Sequence, residues 1–123
     1  MYRKIIAMLL VSSFAYAHEM VPAYPELTPS HLQGISKATL RMFNKRKDVE
    51  YYEIGVFDDK FNPVPFVSGY RLFKLQHLGK VSFTVYIRDI DAQRATYVCS
   101  KSKVSGATQG TLVSSRICSK FKK

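Results

Sequence analysis

The sequence predicts an all-β protein, an antiparallel β-sandwich of about seven short strands. Three observations carry this expectation. Apolar and polar residues alternate with a period of two along most of the chain. Turn-forming clusters interrupt that alternation roughly every eight to twelve residues, and no window keeps apolar residues at helical spacing over three turns.

Ahead of the strands lies a leader. Arg3 and Lys4 give a positive start, and Ile5 to Ala15 runs apolar except for Ser12 and Ser13. Ala15-Tyr16-Ala17 then offers small residues where a signal peptidase reads them, so residues 1–17 are expected to be a cleaved signal peptide and His18 the mature N-terminus. The apolar stretch is about eleven residues, short of the ~20 that a spanning helix needs, and Pro22 and Pro25 block its extension. The expected location is periplasmic or secreted, with no transmembrane segment after cleavage.

Residues 18–35 hold three prolines and little periodicity, which predicts an extended N-terminal segment with a short edge strand near Leu27 to Gln33. The sandwich is expected over residues 36–123. Ala38, Leu40 and Met42 alternate with Lys37, Thr39 and Arg41 in a strand that ends at Asn44, and Asn44 to Asp48 make a turn. Tyr52, Ile54 and Val56 form the inward face of the next strand, and Asp58-Asp59-Lys60 with Asn62-Pro63 the next turn. Val64 to Val67, broken by Pro65, suits an edge strand. Leu72 to Leu75 leads to a turn ending at Gly79. Val81, Phe83, Val85 and Ile87 then give the clearest alternation in the chain, Asp89 to Gln93 connect, and Arg94 to Lys103 and Thr111 to Phe121 close the fold.

Without the leader 106 residues remain, enough for one domain, and a covalent staple is useful at that size. Cys99 and Cys118 supply it. A hairpin of the last two strands centred near residues 108–109 sets them opposite each other, and an even cysteine count in an exported chain favours a disulfide. Closing a loop of that length is worth about 3 kcal/mol in the chain-entropy picture. Two cysteines without CxxC or HxxxH spacing make a poor zinc site, so no metal or other cofactor is expected.

The formal charge is +10, and +8 once Arg3 and Lys4 leave with the signal. Such a surface attracts anions. The densest basic clusters are Lys45-Arg46-Lys47 and Lys120, Lys122 and Lys123, which read as solvated loop and tail. Tyr51, Phe57 and Tyr86 are expected on outward strand faces near Arg41 and Arg88, where interleaved aromatics and cations can bind a polymer strand or a peptide. His18, His31 and His77 fall in loops or at the terminus, and the pairs Asp58-Asp59 and Asp89 with Asp91 fall in turns, where Asp bonds nearby backbone. With no GxSxG elbow and no phosphate-binding glycine loop, no catalytic residue and no small-molecule substrate are expected.

Residues 37–121 resemble the N-terminal, immunoglobulin-like domain of PapD-type periplasmic pilus chaperones. Lys37-Ala38-Thr39-Leu40-Arg41-Met42-Phe43-Asn44 is similar to that family's strand ending in Asn at a turn, and Tyr51 to Phe57 with Pro63 to its next strands. Leu75 to Val85 is similar to its Leu-x-Pro-Gly-x-x-x-x-Val stretch, with Leu78 in place of the expected Pro. The resemblance implies an immunoglobulin-like sandwich. The family pairs two such domains and presents a large apolar ladder on its last strand; here one domain is expected, and neither face of Thr111 to Phe121 carries such a ladder. Lys120 or Arg116 stands where the family's carboxylate-anchoring Lys is found.

The expected function is that of an exported envelope interaction protein, not an enzyme: a chaperone or adaptor binding a protein of the envelope or a surface assembly through a strand edge. Val113, Ile117 and Phe121 are the expected anchoring row on that edge, and Arg116 and Lys120 the charges that set register. The alternative is a basic secreted module that binds an anionic polymer or surface: nucleic acid, polysaccharide or lipid headgroups.

Overall fold

The computed structural model describes residues 18–103 and 114–123. In chain order these form β1 (Glu19–Val21), β2 (Thr28–Pro29), β3 (Ile35–Phe43), β4 (Tyr51–Phe57), β5 (Leu72–Lys74), β6 (Lys80–Arg88), the one-turn helix α1 (Asp89–Ala92), β7 (Tyr97–Lys103) and β8 (Arg116–Lys120). Two antiparallel sheets face each other. In the first, β3 is flanked by β6 on one side and by β1 and β2, end to end, on the other; the second runs β5-β4-β7-β8.

Alternation decides what faces inward. Ala38, Leu40 and Met42 from β3 and Phe83, Val85 and Ile87 from β6 meet Tyr52, Ile54 and Val56 from β4 and Val98 from β7 in one core. The strand expected over Val64 to Val67 shrinks to isolated bridges, with Val67 paired to Tyr86 and Pro63 to Phe57. Pro65 between them has no N–H to give a ladder. The strand expected from Arg94 begins instead at Tyr97, because the Arg94 and Ala95 amides donate back to the Asp91 carbonyl and close α1. Residues 18–35 are extended, and their strands β1 and β2 are hydrogen-bonded into the first sheet, with Met20 in the core.

Leu78 has a left-handed backbone, φ 65°, and its N–H donates to the Asn44 carbonyl at 2.6 Å. Proline could do neither, so the Leu at this position fits the local turn. Gly79 beside it is required, since a Cβ there would lie 2.8 Å from the Gln76 carbonyl oxygen.

One end of the sandwich is closed by buried polar groups. Asn44 is fully buried; its Nδ2 donates to the Val49 and Leu75 carbonyls, both at 2.8 Å, and its Oδ1 accepts from the Tyr52 hydroxyl and the Arg46 amide. Burial pushes the Tyr52 hydroxyl up to about 12. Hydrogen bonding to Asp48 raises the pKa of Arg46, whose guanidinium also reaches the Ser102 and Ser115 hydroxyls.

Candidate functional site: the outer face and free edge of the last strands

The last strands lie in the register that the cysteines imply. Cys99 stands opposite Cys118 and the two are bridged, with Cα atoms 4.0 Å apart. Hydrogen bonds from Phe121 N–H to the Thr96 carbonyl and from Ser102 N–H to the Ser115 carbonyl bracket the ladder. By the antiparallel alternation, residues 117 and 119 therefore turn their backbone groups toward β7, and residues 116, 118 and 120 turn theirs away.

That outward edge of β8 is covered over only part of its length. Lys120 N–H donates to the Ala23 carbonyl and Lys122 N–H to that of Pro25, and Glu26 forms a parallel bridge with Lys122. At Arg116 and Cys118 the edge pairs with no strand among the described residues, although β1 packs close beside it.

The outer face of the same sheet can be read as rows across β4, β7 and β8. Glu53, Lys101 and Arg116 form one, Gly55, Cys99 and Cys118 the next, and Phe57, Tyr97 and Lys120 the third. The missing side chain of Gly55 lets the Phe57 ring fold over it, within 2.7 Å of where a Cβ would stand. The Arg116 guanidinium lies over that ring at 5.5 Å. Phe61 (φ 61°) stacks flat on Tyr97 at 4.8 Å and reaches Phe57 at 6.2 Å. Beside these rings is a hollow of about 220 Å³ lined by Glu53, Gly55, Phe57, Lys101, Lys103 and Arg116 among others. Glu53 is engaged by Lys103. Lys101 and Arg116 are directly opposed like charges on this face, a pairing that disfavours itself unless an anion lies between.

The structure brings Arg116 and Lys120 to this exposed face and treats the apolar row differently. Phe121 is buried in the core at 3 % exposure, so its side chain is not available to a partner, and Ile117 is half-buried against the same core. Val113 lies outside the described residues, as does the leader at 1–17. Tyr51, Phe57 and Tyr86 do point outward, on three different strand positions. Phe61, Gly55 and Lys101 went unnoticed in the sequence. Their rows appear only once β4 is known to pair with β7, a pairing no local pattern reveals.

His18 is not the exposed terminal residue that its position suggests. It is 2 % exposed, its ring packs on Tyr52 at 4.5 Å, and Nε2 contacts the Ser100 hydroxyl at 2.7 Å and the Ser100 carbonyl at 3.3 Å. Nδ1 faces the Ser115 hydroxyl at 3.2 Å. The distances resemble those of a Ser–His pair, yet Ser100 is fully buried, so no substrate reaches it. Burial lowers the His18 pKa. No group of three His, Cys, Asp or Glu that could hold a metal occurs among the described residues.

With this geometry in place, the comparison with solved structures decides the fold. The E. coli chaperone DraB superposes with a TM-score of 0.62 over 86 % of this chain, at 16 % identity. The fold is PapD-like. This chain spans about half of DraB, 53 % of its length, and the identity is low enough that the likeness concerns the PapD-like fold and nothing further. A FixG-related protein from Vibrio parahaemolyticus also matches, with a TM-score of 0.46 and 14 % identity over 86 % of this chain and 95 % of that one. No family model matches the sequence, and neither does any curated protein. A PapD-like fold with a disulfide is compatible with an exported protein, and no helix among the described residues is long and apolar enough to cross a membrane.

Proposed function

We propose that this is an exported envelope protein without enzymatic activity, a PapD-like chaperone or adaptor that binds a protein partner by strand addition to β8. The observation that carries the reading is the short edge at Arg116 and Cys118 that pairs with no strand among the described residues, flanked by the Lys101–Arg116 pair of cations. A strand laid there finds backbone groups to pair with, and an acidic residue or terminal carboxylate on it finds Arg116. Lys120 lies two positions further along the same face, beside the covered stretch. Removal of residues 1–17 by signal peptidase belongs to the same proposal.

The test uses the partner captured from the producing cell's envelope. In the complex, hydrogen exchange at the Arg116 and Cys118 amides is expected to slow. Reversal of Arg116 and Lys120 to Glu should weaken binding more than reversal of Lys45 and Lys47. Binding that collapses with salt and responds equally to both pairs would replace this reading with diffuse attraction of an anionic polymer.

A further inference from the structure

A second surface lies on the other sheet, at the end away from Asn44. A groove of about 420 Å³ runs between the 31–35 turn and the 65–67 segment, walled by Leu32, Ile35, Pro65, Phe66, Val67 and Tyr86, with His31 and Arg88 also on it. Leu32 and Val67 are 51 % and 67 % exposed. Ile90, 76 % exposed, stands at the same end, on the helix whose Asp89 N–H is tied to the Gly34 carbonyl. Apolar side chains this open and this close together mark a surface that is covered in use.

Two features say what covers it. First, the backbone around the groove is already hydrogen-bonded within the chain. Val67 and Tyr86 exchange N–H and carbonyl, Ile35 N–H donates to Leu32, and the Phe66 carbonyl accepts from Arg71 at 2.7 Å. A peptide strand laid here would find the backbone of Val67 and Tyr86 already paired and would leave most of its own polar groups unpaired, whereas a hydrocarbon chain has none to pair. Second, cations stand on or next to residues of the groove. Arg88 lines it, Lys37 sits opposite Tyr86 in the strand register, and the Arg71 guanidinium lies over the Phe66 ring at 4.5 Å. Nearby, Asp91 is buried and shared between Arg88 and Arg94, and Asp89 accepts from the Ser36 hydroxyl. Arg88, Arg94, Lys37 and Arg71 thus outnumber Asp89 and Asp91 around the groove, with Arg88 and Arg94 themselves paired to Asp91.

We propose that the groove takes an acyl chain of an anionic phospholipid, so that this end of the sandwich docks on an anionic bilayer. The exposed Leu32, Val67 and Ile90 enter the headgroup–acyl boundary, and Arg88, Lys37 and Arg71 meet the phosphates. The surface is on a different sheet from β8, so this binding stands or falls independently of strand addition.

The experiment is co-sedimentation of the full chain, as the cell processes it, with phosphatidylcholine vesicles that do or do not contain phosphatidylglycerol. Any contribution of residues 1–17 is common to all variants compared. Binding is expected only with phosphatidylglycerol present. Leu32→Glu with Val67→Glu should lower it by roughly tenfold or more, and Lys47→Gln with Lys122→Gln, which lowers the net charge by the same two units at other sites, should lower it less. Should the glutamates unfold the chain, as judged by circular dichroism, Leu32→Ser with Val67→Thr gives the same reading. Equal loss from both pairs would show adsorption by net charge and overturn the proposal. So would equal binding to both vesicle types, no binding to either, or a peptide that occupies the groove while vesicles stay unbound.

Discussion

The two ends of the sandwich solve opposite problems. At the end where β3 finishes and β4 begins, polar side chains are buried and each finds a partner: Asn44 holds two carbonyls and accepts from Tyr52, and His18 is held by Ser100 and Ser115. At the end where β3 begins and β6 finishes, apolar side chains are exposed and the charges stand around them. Buried polar groups are costly to leave unpaired, so the first end is fixed in one arrangement. Exposed apolar groups contribute little to folding, so the second end is free to meet something else.

The strongest way to break this contrast is at Asn44. Asn44→Ala leaves the Val49 and Leu75 carbonyls and the Tyr52 hydroxyl without their partner inside the protein. The expected loss is about 3–5 kcal/mol in urea unfolding, from the desolvation of groups left unpaired. A loss below about 1 kcal/mol would mean that water replaces the amide and that this end is looser than its hydrogen bonds imply.

His18 gives a smaller, pH-dependent effect at the same end. Its folded pKa lies below the usual 6.5, chiefly through burial, with the Arg46 charge acting in the same direction and the Ser100 backbone bond opposing them. The folded chain therefore holds the imidazole neutral, while the unfolded chain takes up a proton as pH drops past about 6.5. Stability is full above that value and is lost as pH falls toward the lowered folded pKa. Asp58 and Asp91 are shifted below 3.8, by the Asn62 backbone N–H and by Arg94 respectively, so their contribution is lost at lower pH. Unfolding midpoints compared between pH 7.5 and pH 5 should fall for the parent chain and change little for His18→Gln. An equal fall in both would place the acid sensitivity elsewhere.

The strands were largely legible in the sequence because their signal is local. Ala38 to Met42, Tyr52 to Val56 and Val81 to Ile87 alternate without interruption, and each lies in the strand its pattern predicts. The pair Cys99 and Cys118 carried one piece of long-range information, the register of the last two strands. Everything that depends on contacts between distant segments was hidden. The burial of His18 requires Ser100, 82 residues away. Phe121 alternates as a partner-facing residue would, yet that face turns to the core. The groove exists only because Val67 bridges Tyr86 beside the 31–35 turn, and nothing in either segment names the other.

The smallest expected effect is the one that tests the second end. Leu32 and Val67 lie at half exposure or more, outside the buried cluster. Changing them to Glu removes little buried area and strands no polar group, since a carboxylate at either position reaches solvent. The neighbouring Arg88 and Lys37 add a mild attraction for the new charges. Thermal and urea unfolding of the double variant should therefore stay within about 0.5 kcal/mol of the parent, as for surface positions generally. A loss of about 2 kcal/mol or more would show that the groove is held closed by its own side chains in solution. Its apolar walls would then belong to the core, and the contrast between a fixed end and an available one would fail on that side.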